Sequence, residues 1–294
     1  VQLSPYDVTL SNFTGANINA ITKSGTNEFT GRAAFYYSDD DLQRDDADFT
    51  REVYSVSAGG PIVKDRLFFF LAYEKEEQTR IGNSSGVDTA LAQQVADIAS
   101  SVYGVDAGTF NAPSNLVTEE ESIVVKLDWN INDYHRASFK YQNNEDSQPI
   151  FPNYGGGEIS LSSHWYTNAF ENKSYNLNLY SDWTANFSTE LRISNSEFDK
   201  VPDLNAILPQ VEVMVGNGDS VFFGTEEFRH ANELNVVTDN IFLEGNWFLG
   251  NHNLTFGFDW REQDIRNLFI SQALGLYEFD SIDDFANGIH SRYE

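Results

Sequence analysis

The sequence predicts an all-β protein, an antiparallel transmembrane β-barrel, on three observations. Apolar and polar residues alternate with period two over many short segments, tryptophans recur just ahead of short turns, and short connections alternate with long ones. Composition agrees with this. Aromatic residues make up 14% of the 294 residues, beside a mean hydropathy of -0.42. Many rings in a chain that is polar on average suit strands with one greasy and one wet face.

Taken in chain order, Phe29 to Tyr37 reads as a first strand. Tyr54, Val56 and Ala58 alternate with polar neighbours, a turn spans Pro61 to Arg66, and Leu67, Phe69, Leu71 and Tyr73 continue the pattern. Gly59-Gly60-Pro61 is expected to end the second strand, because proline lacks the ladder donor. Val125, Leu127, Trp129 and Ile131 form one face of a strand, a polar turn covers Asn132 to His135, and Ala137, Phe139 and Tyr141 return. The same grammar pairs Tyr175, Leu177, Leu179 and Trp183 with Leu191 and Ile193 around a turn at Ala185 to Ser188. It pairs Ile241, Leu243 and Trp247 with Leu254, Phe256, Phe258 and Trp260 around Leu249-Gly250-Asn251. The total is about nine strands.

Trp129, Trp183 and Trp247 occupy equivalent places in three hairpins, where they would form a membrane-interface belt of indole rings. The long connections, Ser38 to Arg51, Ile81 to Thr118, Asp146 to Thr167 and Val201 to Asn232, all fall at the opposite end. They contain one helical candidate, Val87 to Tyr103, with Asp88 as N-cap, which reads as a loop ornament. Alternation alone does not say which face meets lipid, so a soluble β-sandwich or propeller with core tryptophans is the competing architecture.

The net charge of -27 disfavours nucleic acid and anionic head groups as partners. The absence of cysteine excludes disulfides, thiolate chemistry, Cys-ligated zinc and iron–sulfur clusters. The longest apolar run, Leu67 to Tyr73, is far below the roughly 20 residues of a spanning helix. The chain begins with Val and shows no basic-then-apolar leader, which reads as a processed product or an excised fragment.

The stretch from Asn19 to Gly31, NAITKSGTNEFTG, and the stretch from Gly59 to Phe70, GGPIVKDRLFFF, resemble TonB-dependent outer-membrane receptors, most closely the Oar-like branch. The resemblance implies a plug domain inside a 22-stranded barrel of the bacterial outer membrane. Residues 1–27 would be the C-terminal end of the plug, and 28–294 the N-terminal part of the barrel with long extracellular loops. Asn19, Thr22, Lys23, Ser24, Gly25, Thr26 and Asn27 would form the plug-to-barrel joint, a structural motif in which Gly25 permits a tight reversal. The implied partners are TonB, through a segment absent from this chain, outer-membrane lipid and an external ligand. About nine strands leave two raw edges, so this piece is not expected to close or transport alone.

Motifs that carry chemistry are weak. Gly82 to Gly86 matches G-x-S-x-G, but the charged strand before it and the lack of alternating β and α segments favour a polar loop. Glu227 to His230 gives E-x-x-H without the partner helices of a di-iron bundle, and the five histidines lack metal-ligand spacing. Asp39, Asp40, Asp41, Asp45, Asp46 and Asp48 lack the EF-hand pattern and read as a solvated acidic loop. Gly155 to Gly157 reads as a hinge. No catalytic residue, metal or cofactor is expected, and the chain is not read as an enzyme.

Ligand contact is expected where long loops carry exposed rings, at Tyr154, His164, Trp165, Tyr166, Phe222 and Phe223, with loop-on-loop packing as the other reading. Lys126, Asp128, Arg192, Asp259 and Arg261 would line the lumen or touch the plug. The function expected is TonB-coupled transport of an external ligand. The alternatives are a surface binding or adhesion barrel without transport and a secreted β-rich hydrolase.

Overall fold

The computed structural model describes residues 2–3, 16–17, 22–43, 48–82, 84–112 and 115–294. Nine antiparallel strands form one sheet: β1 Thr30–Asp39, β2 Phe49–Val63, β3 Leu67–Ile81, β4 Asn115–Asn130, β5 His135–Ile150, β6 Tyr166–Thr184, β7 Phe187–Leu204, β8 Ala231–Leu249 and β9 His252–Ile270. Each strand pairs with its neighbours in sequence, so the sheet is a meander with β1 and β9 as its two edges. The four expected hairpins are present, joined at one end by two- to four-residue turns. Strand β2 runs through Gly59, Gly60 and Pro61, contrary to the expected stop, with a register shift between Pro61 and Val63. The pairing of β1 reaches no further than Gly59, so Pro61 has a partner strand on one side only, where a missing donor is tolerated.

The register separates the two faces. One row running across β3 to β9 reads Phe70, Lys126, Lys140, Asn176, Ser194, Asn240, Arg261, and the row beside it on this face reads Phe68, Asp128, Ser138, Asn178, Arg192, Phe242, Asp259. All five residues expected to face the lumen lie on this polar side. The opposite face carries the row Phe69, Leu127, Phe139, Leu177, Ile193, Ile241, Trp260. Leu127, Leu179 and Leu243 are half-buried and Phe256 is exposed, so no second layer covers this face among the described residues. The sandwich architecture fails on that point.

On the apolar face, the limit of hydrophobic residues forms a staircase. In the row Phe35, Tyr54, Lys75, Glu121, Glu145, Glu171, Asp199, Asn235, Arg266, apolar residues stop after β2. Two residues nearer the short turns, in the row Ala33, Val56, Tyr73, Ile123, Asn143, Lys173, Glu197, Val237, Asp264, the apolar stretch stops after β4, with Val237 as an exception. Two residues further down, Leu71, Val125, Tyr141 and Tyr175 give way to Asn195, Asp239 and Glu262 after β6. The limit therefore falls by about 6.8 Å for every two strands, which span about 9.6 Å, a slope of roughly 35°. A horizontal lipid boundary cut by tilted strands gives this pattern, and the slope lies within the tilt of membrane barrels. The steps end at or beside Tyr54, Tyr73, Tyr175 and Trp260, an upper aromatic girdle that the sequence reading missed. At the other edge, near the short turns, Trp129, Trp183 and Trp247 are 49%, 58% and 45% exposed. On β6 the span from Tyr175 to Trp183 is about 27 Å along the strand and about 22 Å along the barrel axis, near the height of an outer-membrane apolar band.

Candidate functional site

The buried core of this molecule lies not in the wall but in a cap built from the long connections. A five-stranded sheet orders Arg292–Tyr293, Leu276–Phe279, Gln210–Gly216, Asp219–Phe223 and Glu158–Ser160 side by side. Its strands come from the β5–β6 and β7–β8 connections and from the segment after β9, and two of the pairings are parallel. The core cluster includes Val95, Ala99, Ile159, Leu161, Val213, Val221, Phe279 and Phe285, and none of its members lies in β1 to β9.

Helix Thr89–Tyr103 starts where expected, with the Asp88 carboxylate accepting from the Ala90 N–H at 2.9 Å, and ends on Gly104 at φ 68°. The reading of it as an ornament is corrected: Ala92, Val95 and Ala99 are fully buried in the cap core. Helical spacing placed its apolar stripe correctly, but only the non-local sheet supplies the surface that the stripe covers.

Of the six rings expected to meet a ligand, His164, Trp165, Tyr166, Phe222 and Phe223 are buried, and Tyr154 is half-buried. The expectation that they are exposed is corrected by loop-on-loop packing. The Trp165 indole N–H donates to Ser160 Oγ at 2.9 Å, and its ring meets Phe151 and Tyr154 edge-on. The Tyr154 hydroxyl donates to the Phe110 carbonyl at 2.9 Å. Arg229 donates to the Tyr166 hydroxyl at 3.2 Å. The His164 ring lies 5.8 Å from Phe222, while Phe223 lies on the other face of its strand, in the core. His164 Nδ1 lies 2.8 Å from the Gly224 carbonyl and Nε2 lies 3.1 Å from Asn153 Oδ1, and the neutral ring has one N–H to donate to the pair. Burial holds the His164 pKa down at about 4, against the smaller upward pull of the Gly224 hydrogen bond. His164 is therefore a neutral pin between two loops.

The weak motifs resolve as structure. Ser85 Oγ accepts from the Val87 N–H at 3.1 Å in the G-x-S-x-G loop, whose Asn83 lies outside the described residues. His230 Nε2 donates to the Thr225 carbonyl at 2.9 Å and Nδ1 accepts from the Leu274 N–H at 3.1 Å. Among the described residues no group of His and acidic side chains could hold a metal. Asp39 accepts from the Leu42 N–H at 2.9 Å, and Asp45 and Asp46 lie outside the described residues.

Cavities among the described residues include the following pair. A cavity of about 610 Å³ at the short-turn end is lined by polar groups including Arg136, Tyr180, Ser188 and Glu190. A pocket of about 330 Å³ in the cap is lined by Val211, Phe223, Tyr277, Phe279 and Phe285.

At the joint upstream of β1, the Lys126 ammonium donates to Ser24 Oγ at 2.7 Å and pairs with Asp128 at 3.3 Å. Asn27 clamps the β2–β3 turn, its Nδ2 donating to Asp65 Oδ1 at 2.6 Å and its Oδ1 accepting from the Asp65 N–H at 2.8 Å. Thr26 Oγ1 caps its own turn through Glu28, Thr22 is half-buried and Lys23 exposed. Asn19 lies outside the described residues. Gly25 does not adopt a left-handed φ, so reversal is not the reason for glycine here. A Cβ at Gly25 would lie 2.2 Å from the Phe69 carbonyl and 2.8 Å from that of Gly60, and one at Gly59 would lie 3.5 Å from Gly25 Cα. Gly59 shares its row with Phe70 and Lys126, so Ser24 and Gly25 press against the polar face.

Residues 21–103 match the family described as the outer membrane beta barrel domain. No curated protein matches the chain. Among solved structures the chain is similar to the crystal structure of the outer membrane transporter YddB from Escherichia coli, with a TM-score of 0.55 and 10% identity, over 84% of this chain and 29% of that one. At that identity the likeness speaks for the fold, and this chain spans less than a third of the transporter's length. The nine strands are a stretch of outer-membrane β-barrel wall, located in the bacterial outer membrane.

Proposed function

We propose that this chain is the plug end and opening wall of a TonB-dependent, Oar-like transporter, which moves an external ligand across the outer membrane using TonB-coupled energy. The supporting observation is the joint. Ser24 and Gly25, just upstream of β1, lie against the polar face, with Ser24 bonded to Lys126 and Gly25 against the backbone of Gly59 and Gly60, and the chain then becomes wall at Thr30. A barrel stoppered by its own N-terminal domain requires such a passage from lumen to wall, whereas an adhesion barrel has no need of one. Polar rows suit a hydrated path and a plug, and the cap above them suits capture of a ligand.

The test is independent of the cargo. The full-length gene product, reconstituted in lipid nanodiscs, is expected to bind a purified periplasmic domain of TonB. Failure to bind would replace the transporter with the adhesion barrel.

A further inference from the structure

We infer that the cap carries a binding site for a small, uncharged aromatic molecule, in the pocket between the end of helix Thr89–Tyr103, the short helix Ile282–Asn287 and the apolar face of the cap sheet. The inference deepens the transporter reading and rests on it for the purpose of the site. Its volume of about 330 Å³ is at the lower end of small-molecule sites.

The floor is core. Val211, Phe223, Phe279 and Phe285 are all buried members of the cap cluster. The rim is wetter: Tyr103 is 42% exposed, Tyr277 is half-buried and His290 is exposed. The pocket is thus a gap in the core that opens to solvent between rings. Those rings offer both faces and edges, since Tyr103 stacks on Phe285 at 5.1 Å while Phe223 and Phe279 meet Phe285 edge-on at 5.8 and 5.0 Å. A flat aromatic guest continues that packing.

Charge decides the class further. No carboxylate, lysine or arginine lines the pocket, and its one imidazole, His290, stands at the exposed rim. A charged guest would give up its hydration with no carboxylate, lysine or arginine to replace it. The net charge of -27 adds repulsion of anions. The Tyr103 hydroxyl already donates to the Phe285 carbonyl, so it holds the rim together and is not a free handle. The rim is also fixed in place, because both helices end on left-handed glycines, Gly104 at φ 68° and Gly288 at φ 71°. Such a cavity was not legible in the sequence, because its walls come from three separate connections.

The test uses the full-length protein in lipid nanodiscs, with indole as probe and indole-3-carboxylate as its charged counterpart, read by saturation-transfer NMR. Saturable indole binding is expected, at least tenfold tighter than the carboxylate. Leu208→Trp and Val105→Phe, which enlarge two residues that line the pocket, are each expected to weaken indole at least tenfold while heat-modifiable migration of the barrel is unchanged. No saturable binding, as when lipid or another stretch of chain fills the pocket, overturns the inference. Equal binding of the carboxylate, or indole binding unaffected in a filled variant that retains its migration, overturns it too. TonB binding is measured on the same preparation. TonB binding without indole binding sinks this inference alone, and indole binding without TonB binding sinks the transporter reading alone.

Discussion

Leu243 and Val95 are both aliphatic residues on regular elements, yet one is half-exposed within an uncovered apolar face of β8 and the other is fully buried under the cap sheet. The wall and the cap sort their residues by opposite rules because they face different solvents. In the wall, hydrocarbon receives the apolar face and the hydrogen-bonded ladder satisfies the backbone, so a core is unnecessary. In the cap, water surrounds the structure, so the long connections must build a core of their own. One chain therefore carries a membrane fold and a water-soluble fold, interleaved loop by loop.

Substitutions that exchange the two environments should break this contrast most sharply. Val95→Asp places an unpaired carboxylate in the cap core and is expected to cost more than about 4 kcal/mol, abolishing the cap. Hydrogen exchange should show lost protection over residues 89–103 and 210–223, while the heat-modifiable migration of the assembled wall persists. Loss of both would mean the two regions fold as one unit. Leu243→Arg should do the reverse, weakening insertion by about 2–4 kcal/mol in a folding titration into bilayers while cap protection is retained. An unchanged titration would argue against lipid on that face.

Acid should loosen the cap around His164. His164 is neutral when folded, with its pKa near 4, and would take up a proton near 6.5 when unfolded. The unfolded state thus binds more protons between these values, so the stability held by the neutral ring is complete above about pH 6.5. It declines as pH falls towards 4, by about 3 kcal/mol in total. Hydrogen exchange of the 161–166 segment across that range checks this, and a His164→Phe variant should flatten the dependence. The smallest effect expected is from Asp88→Ala, which removes the helix N-cap and should lower cap stability by about 1 kcal/mol in urea. No change there would mean that packing alone holds the first turn.

Much of the wall was legible from sequence because its determinants are local. Two-residue alternation marks each strand, and short turns fix each hairpin. The same holds for helix Thr89–Tyr103, whose cap and stripe are written within 16 residues. The aromatic cluster was misjudged because residue type does not report exposure. Trp165 and Phe222 are equally suited to gripping a ligand and to sealing two loops, and only their neighbours choose. Gly25 was recognised as necessary for the wrong reason, since close approach to Phe69 and Gly60 needs coordinates to be seen.

By itself, then, the sequence determined that apolar and polar residues alternate along ribbons of fixed hand and length, because that pattern depends on a backbone period of two residues. Tertiary structure alone decided the strand tilt, the upper girdle from Tyr54 to Trp260, the cap sheet and its pocket. Each depends on registers between strands or on parallel pairings of three to four residues, such as Gln210 with Leu276 and Ser220 with Glu158. Such pairings bring together segments more than 60 residues apart, and their stability comes from a shared core that no single segment contains.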